Sequence, residues 1–404
     1  MSNKRALIAE ALHLLALNFG GLLIGLVATV LITRGLGPEA RGVYAWVFTI
    51  YGIAAQLALV VSYNTVRQMG TATKTEKDWP QLAGTYGVLM LGGWGLTLPL
   101  LAWAASQPLG QAHLGLLLVA WAGMPFIVFS TALSGLIHLR RKAGGILIPM
   151  LVPRAGYTLA IAAAWATRAL TLELAVIFNS LMSVVSLGMN SWWLGINPRR
   201  WRFNSALARK AARFMGATWL AALAAFIAPK VVLIILPHYV GLADLGYYSV
   251  AATLLDIALM LPAAVASVLV SHFTRGESSA GNRRLTLLAL LGVMAGAGAF
   301  GYVTAPYLLP LVFGSGFAAS VAPFRILLLA LLLQAPLAVY TSQLTAKAHA
   351  LGLLLPPLAS LFTTVLCAFW LIPAHGMQGA AMAVVAGYAT QLLTTLPFSR
   401  KSRP

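Results

Sequence analysis

Charged residues and cysteine are scarce in this sequence. Only 9% of its 404 residues are Asp, Glu, Lys or Arg, and only 8 of those are acidic, whereas 60% of the residues are hydrophobic. A soluble domain carries about 25% charged residues, so this composition excludes an ordinary soluble fold. The single cysteine, Cys367, has no partner for an intramolecular disulfide and excludes a site built from several thiolates.

Motifs for catalysis or nucleotide-driven energy coupling are also missing. The sequence has no Gly-rich phosphate loop, no nucleophile elbow and no paired carboxylates, and its seven histidines are scattered without metal-ligand spacing. We therefore expect neither an enzyme nor a metal centre, and no cofactor. Any energy source for transport would be an ion gradient, the membrane potential or the substrate gradient.

Long apolar windows dominate the chain. A bilayer core about 30 Å thick is crossed by about 20 apolar residues. Windows of that length predict an all-α polytopic membrane protein with about twelve transmembrane helices. The first window is interpreted as a retained helix rather than a signal peptide, because it is long and lacks a small-x-small cleavage site. The predicted spans are residues 11–32, 43–63, 81–104, 113–137, 146–166, 173–195, 214–236, 248–272, 285–306, 323–345, 353–373 and 377–397.

The net charge of +19 is explained by membrane topology rather than by nucleic-acid binding. With the amino terminus inside, 21 Lys and Arg residues fall on the cytoplasmic side, and only Arg34, Arg41 and Arg168 fall outside. This asymmetry follows the positive-inside rule. We therefore expect both termini to be cytoplasmic, and we expect the basic inner face to contact anionic membrane lipids.

Two segments of the chain repeat one pattern. Residues 37–44 and 241–248 both read Gly, four residues, Gly, one residue, Tyr, at an offset of 204 residues. Pro153 and Pro357 match at the same offset. Since both copies start on the same side of the membrane, the pattern predicts a parallel internal repeat about an axis along the membrane normal.

The repeat predicts two six-helix lobes around a central cavity. The N-terminal lobe covers 1–195 and the C-terminal lobe covers 214–404. Between them, 196–213 is predicted to form a basic cytoplasmic linker with a short helix, capped by Ser205, that lies on anionic lipids. An ordinary solvated linker is the alternative.

A few charges fall within apolar spans. A charge at a helix centre costs roughly 2.5–3.5 kcal/mol on insertion scales, so Lys230 and Arg154 are candidate cavity cations. Each follows a proline, which predicts an irregular helix position deep in the membrane. Such cations would bind an anionic group such as a phosphate. The alternatives are snorkelling to an interface and pairing with a carboxylate.

Two further charges complete this set. Arg325 lies near a span end, where snorkelling is favoured, but it remains a third candidate cation for the cavity. Asp256 is the carboxylate placed well inside a span. It is either a coupling-ion or proton site, or the counter-ion of Lys230.

The sixth predicted span carries a polar stripe. Asn179, Ser183, Ser186 and Asn190 follow spacings of four, three and four, which place them on one helical face. Such stripes mostly form helix–helix contacts, and cavity lining is the alternative.

Two segments carry a family resemblance. TRGLGPEARGVY at residues 33–44 resembles the opening signature of bacterial polysaccharide flippases, the Wzx-type branch of the multidrug/oligosaccharidyl-lipid/polysaccharide exporter superfamily. LVFGSGF at 311–317, followed by APFRIL at 322–327, is similar to that family's connection between the ninth and tenth spans. The resemblance extends to the span count and the two halves.

The resemblance implies a MATE-like two-lobe transporter in the bacterial cytoplasmic membrane, acting by alternating access. It implies flipping of an undecaprenyl-diphosphate-linked glycan, with Arg154 and Lys230 as cavity cations, whereas 34–44 is interpreted as a structural turn. Polysaccharide polymerase or assembly proteins are implied partners, and a monomer is expected. O-antigen and exopolysaccharide units would both suit. The alternatives are a multidrug or cation exporter of the same superfamily and a scaffold without transport in a glycan assembly complex.

Overall fold

The computed structural model describes residues 2–59, 79–137, 143–195, 201–274 and 280–401. Every regular element in these ranges is an α-helix or a 3-10 helix, so the all-α prediction is confirmed. An apolar surrounding offers no water to backbone N–H and C=O groups, and a helix satisfies those groups within one segment.

Helices follow one another with short connections. In the first half they are α1 (Ser2–Ala58), α2 (Trp79–Gly95), α3 (Leu98–Ser106), α4 (Pro108–Ala112), α5 (Leu114–Ile137), α6 (Ala143–Ala166) and α7 (Leu172–Leu194). In the second half they are α8 (Ser205–Ile227), α9 (Val232–Ile235), α10 (Leu242–Ala258), α11 (Met260–Thr274), α12 (Ala280–Phe313), α13 (Val321–Leu327), α14 (Leu329–Ala346) and α15 (Ala350–Lys401). The segments Leu236–His238 and Ser315–Ser320 are 3-10 helices.

Eight helical stretches among the described residues are long and apolar enough to cross a membrane, and a ninth arises if one bent pair is a single span. Ala350–Ser399 contains two of the predicted windows, 353–373 and 377–397, and Leu23–Ala58 overlaps parts of the first two, 11–32 and 43–63. The polytopic membrane architecture is therefore confirmed. Residues 60–63 of the second predicted window lie outside the described ranges.

Glycines mark the bends within these two long helices. Gly37 in α1 has φ 76° and is followed by Pro38, and Gly376 in α15 has φ 54°. Both φ values lie in the left-handed region, which glycine adopts without the steric penalty of a Cβ. Each bend ends one helical segment and starts another, so α1 and α15 each consist of two helical segments joined at a glycine.

Contacts divide the chain into two compact units. The first comprises Met1–Leu36 and Ile50–Trp219, and the second comprises Gly37–Thr49 and Leu220–Pro404. The segment directly after the Gly37 bend therefore packs with the second half of the chain. The lobe boundaries placed at 195 and 214 remain a prediction.

The basic segment between the halves differs from its prediction. Ser205 does not start a short separate helix, because α8 continues without interruption to Ile227. Its start is capped by Asn204, whose Oδ1 accepts hydrogen bonds from the backbone N–H groups of Ala206 (2.9 Å) and Leu207 (3.2 Å). The sequence between Arg209 and the seventh span has no proline to end the helix. Residues 196–200 of the predicted linker lie outside the described ranges.

The chain before α8 is docked on the first unit. The ring of Trp201 meets Phe129 edge to face, with centroids 5.1 Å apart, and the backbone of Arg202 lies against Gly84. The backbone N–H of Asn204 donates to Thr85 Oγ1 at 3.0 Å. These contacts hold residues 201–204 against α2 and α5, so this part of the connection is packed rather than solvated.

The two copies of the repeated pattern meet within the second unit. A Cβ added to Gly42 on α1 would overlap the carbonyl oxygen of Leu242, and a Cβ added to Gly246 on α10 would overlap that of Pro38. The two contacts are equivalent under the repeat. Gly42 corresponds to Gly246, and Pro38 corresponds to Leu242, each at the offset of 204 residues. This reciprocity is what a two-fold relation between the copies produces, and it brings the two backbones into direct contact.

We predict that Gly42→Ala and Gly246→Ala each lower the melting temperature of the purified protein. The added methyl would meet backbone rather than a flexible side chain, and overpacking of this kind costs about 1–3 kcal/mol. Thermal unfolding in detergent, followed by tryptophan fluorescence, measures the effect. Gly292→Ala on α12 is the matched control, since an added Cβ there meets open space. Equal stability of all three variants would contradict a close backbone contact.

Candidate functional site

A break between two helices carries the first functional side chain. α8 ends at Ile227 and α9 begins at Val232, and the axes on either side differ by 48°. Pro229 lies in this break and has no backbone N–H to donate. Lys230 follows it, with its own N–H donating to Ile227 O at 2.9 Å in a turn rather than a regular helix. The irregular position predicted at Lys230 is confirmed.

Lys230 is paired with a carboxylate. Its Nζ donates to Asp256 Oδ2 on α10 at 2.8 Å, and it lies 5.5 Å from the ring centroid of Phe226. The pair is partly exposed, with 24% of the Lys230 side chain and 49% of the Asp256 side chain accessible. The counter-ion interpretation of Asp256 therefore describes the observed arrangement. Because both side chains are partly accessible, the ion pair can separate without leaving a fully buried, unpaired charge.

Arg41 is a second cation beside this pair. It lies on α1 four residues after the Gly37 bend, and only 5% of its surface is exposed. Its Nη2 donates to Thr253 Oγ1 on α10 at 3.2 Å, and its guanidinium carbon lies 5.3 Å from the ring centroid of Tyr44. The buried guanidinium is thus fixed by contacts with two helices.

Sequence reasoning missed Arg41, which the charge distribution assigned to an outer connection. The repeat contains a signal that could have revealed it. At the offset of 204 residues Arg41 corresponds to Leu245, which is fully buried in α10. A charge whose repeat equivalent is a core leucine occupies a core position itself, and a buried charge needs a functional or structural partner.

These side chains line one cavity of about 170 Å³ within the second unit. Its described lining carries three charges, Arg41, Lys230 and Asp256, so positive charge exceeds negative by one. Aromatic and hydroxyl side chains supply half of the remaining lining residues, namely Tyr44, Phe48, Thr49, Phe226, Tyr248, Ser249 and Thr253, and the other half is aliphatic. Drug-sized ligands occupy about 300–1,000 Å³, so this cavity suits a group of phosphate or diphosphate size. Among the described residues, no group of three or more His, Cys, Asp or Glu is placed to hold a metal ion.

Arg154 belongs to the first unit, apart from the cavity residues. Its guanidinium lies against Gly21 of α1, and the two helices are also joined by Thr158 Oγ1, which donates to Ile24 O at 3.0 Å. The irregular helix position predicted for Arg154 is not observed. α6 continues through Pro153, because a proline inside a helix removes one hydrogen bond and neighbouring helices can hold the rest together.

Arg325 on α13 lies outside the lining of the cavity. Its Nε donates to the carbonyl oxygen of Tyr302 on α12 at 3.1 Å, and its guanidinium carbon lies 4.3 Å from the centre of the Tyr302 ring. The carbonyl and the aromatic face together satisfy this cation. A ligand-binding role for Arg325 therefore remains a prediction that this geometry does not favour.

The polar stripe on α7 faces another helix. Ser186 Oγ lies 2.6 Å from Ser130 Oγ on α5, and Asn190 Nδ2 donates to the carbonyl oxygen of Ser130 at 3.0 Å. Ser183 Oγ donates to the carbonyl oxygen of Asn179 within α7 at 2.9 Å. The helix-contact alternative thus accounts for Ser186 and Asn190, while cavity lining remains untested.

Comparisons with known proteins identify the fold and the family. A family model described as "Polysaccharide biosynthesis protein" matches residues 31–322. An inward-facing multidrug resistance MATE family transporter of the MOP superfamily is 15% identical, with a TM-score of 0.74 and coverage of 94% of each chain. The lipid II flippase MurJ in an inward closed conformation is 13% identical, with a TM-score of 0.76 over 96% of this chain and 87% of its own.

A MOP superfamily transporter from Pyrococcus furiosus, for which a reverse polarity of the binding pocket is described, is 16% identical with a TM-score of 0.68. The match covers 97% of this chain and 95% of the Pyrococcus furiosus chain. No curated protein sequence matches the chain. At these identities the structural likeness establishes the fold alone, which is the multi-pass helical fold of these solved proteins.

We predict that Asn190→Ala lowers the stability of the protein by about 1 kcal/mol, the size of an interhelical hydrogen bond in a membrane protein. The variant would remove the amide donor of Asn190 from the Ser130 carbonyl oxygen and leave Ser186 as the remaining polar contact from α7 to Ser130. Thermal unfolding measures the loss, with Asn179→Ala as the matched control on the same helical face, since Asn179 is only half-buried. Equal losses in both variants would contradict a specific role of the Ser130–Asn190 contact.

Proposed function

We propose that this chain, which belongs to the polysaccharide biosynthesis protein family, is a flippase for lipid-linked oligosaccharides. It moves undecaprenyl-diphosphate-linked repeat units from the inner to the outer leaflet of a bacterial cytoplasmic membrane, by alternating access. The observation that carries the proposal is the excess positive charge of the cavity around Lys230, within a transporter fold.

The charges of the cavity select the class of substrate. A diphosphate is the strongly charged part of such a lipid, and it fits the size and polarity of a cavity with Arg41 and Lys230 in its wall. A cationic drug would require an excess of carboxylates, whereas Asp256 is already neutralised by Lys230. The cation exporter alternative is therefore disfavoured by electrostatics.

The cavity volume limits what is bound there. About 170 Å³ accommodates the diphosphate but neither the glycan nor the polyprenyl chain. We propose that the sugars and the lipid tail extend beyond this cavity during transport. Specific recognition would then centre on the part that all repeat units share, so one site can serve different glycans.

Arg154 in the first unit is the proposed second contact for the anionic part of the substrate. Arg154 is a cation within an apolar helix of the first unit, as Lys230 is in the second, which makes it a further candidate for contact with a phosphate during transport. Both termini are proposed to be cytoplasmic, on the basis of the lysine and arginine distribution. The basic start of α8 would then contact anionic lipids, and polysaccharide polymerase or assembly proteins are the proposed partners.

A scaffold without transport is less consistent with the site. Placing Arg41 and Lys230 against an apolar core costs free energy, and a scaffold gains nothing from that cost. A transporter uses such charges to hold a ligand away from lipid.

We predict that Lys230→Ala weakens binding of undecaprenyl-diphosphate glycans by about tenfold or more, because a charge-assisted hydrogen bond contributes about 1.5–3 kcal/mol. Native mass spectrometry of the purified protein measures retention of the lipid. Arg284→Ala on α12 removes one exposed positive charge elsewhere and serves as the control. Thermal unfolding of each variant verifies that the protein remains folded.

The same experiment includes a panel of cationic drugs. Selective retention of the diphosphate lipid, weakened only in Lys230→Ala, is the expected outcome. Drug binding without lipid selectivity would indicate the exporter, and binding of neither class would indicate the scaffold. Undiminished lipid binding by Lys230→Ala would contradict the assigned phosphate site.

A further inference from the structure

We propose that Asp256 is an internal anion that competes with the substrate's diphosphate for Lys230 and thereby promotes its release. This inference rests on the proposed function, whose site it deepens. Asp256 occupies the position on the Lys230 ammonium that a phosphate oxygen would take.

Chemical likeness between the two anions supports the exchange. The Asp256 carboxylate accepts a hydrogen bond from Lys230 Nζ at 2.8 Å, the distance typical of a charge-assisted bond. A phosphate oxygen is an acceptor of the same charge and similar size. A lysine ammonium is a point charge on a flexible stem, so it can change partners with little reorganisation.

Differences in burial decide which group moves. Arg41 is 5% exposed and is held by Thr253 and Tyr44, whereas the Asp256 side chain is 49% accessible. An incoming diphosphate can therefore displace the accessible carboxylate within the cavity while Arg41 stays in place. We infer that Arg41 is the fixed cation of the site and Lys230 is the cation that exchanges anions.

Both cations, Arg41 and Lys230, donate hydrogen bonds to side chains of the same helix, α10. Thr253, which accepts from Arg41, and Asp256, which accepts from Lys230, are three residues apart on α10 and therefore lie on one face. The carboxylate and the Arg41 guanidinium line the same cavity. A diphosphate that replaces Asp256 on Lys230 is consequently brought towards Arg41, and its two phosphates can be shared between the two cations.

The exchange has a consequence for turnover. Two cations without a competing carboxylate would hold a diphosphate tightly, and tight complexes dissociate slowly. With Asp256 present, binding must open the ion pair and release restores it, so the free-energy well for the ligand is shallower. A transporter must release its substrate once per cycle, and a resident anion provides that property.

The test uses Asp256→Asn, which removes the charge and keeps the shape of the side chain. Full-length protein in nanodiscs is titrated with undecaprenyl diphosphate, and flipping of a fluorescent undecaprenyl-diphosphate glycan is followed in vesicles. We expect about fivefold tighter binding, the change that corresponds to about 1 kcal/mol for a partly exposed ion pair. Flipping at saturating lipid is expected to slow several-fold. Asp244→Asn, the same change in the first turn of the same helix, is the control and should alter neither quantity.

Equal or weaker binding by Asp256→Asn would overturn the exchange, because the carboxylate would then only neutralise Lys230. If this variant does not fold, Asp256→Ser takes its place, because it also removes the carboxylate that faces Lys230. Tighter binding by Asp256→Ser supports the exchange, and equal or weaker binding overturns it. Failure of the wild-type protein to bind undecaprenyl diphosphate would instead refute the proposed function itself.

Discussion

Backbone hydrogen bonding in apolar surroundings is the constraint on which the structure depends. Nearly every described residue satisfies its N–H and C=O groups within a helix, since lipid offers no alternative partner. The helices depart from regular geometry at Gly37, at the Pro229 turn and at Gly376, which lack a Cβ or a backbone donor. Two of these three departures lie next to the charged cavity. Irregular backbone and buried charge thus occur together, because each requires polar surroundings that the other helps to provide.

The charges of the cavity differ in how firmly they are held. Arg41 is buried and contacts two helices, whereas Lys230 and Asp256 form a pair that is partly open to solvent. In the proposed function, the buried cation positions the anion and the accessible pair exchanges partners. The same three residues would be hard to explain as packing alone, because apolar side chains of similar volume would fill the space without a desolvation cost.

Much of the fold could be predicted from residue patterns, because a membrane allows few solutions. The apolar windows, the bend at Pro229 and the Lys230–Asp256 pair follow from local composition and the cost of intramembrane charge. Arg41 could not be located in this way. The positive-inside rule assigns each connection between spans to one side of the membrane. It does not reveal that Arg41, which follows the Gly37 bend, is buried in the protein. The continuity of α8 was also missed, since a basic sequence suits both a separate surface helix and the first turns of a span.

The contact between Gly42 and Gly246 bears on how such a chain arises by duplication. Both copies of the pattern must retain glycine where they touch, since either backbone excludes a side chain on the other. One residue before these glycines the copies differ, with Arg41 in one and Leu245 in the other. The two-fold relation is thus kept at the glycines where the two copies of the pattern meet, and it is lost at the neighbouring position, where only one copy carries a charge. A repeated pattern can therefore carry a charged side chain in one copy alone without disturbing the contact between the two copies.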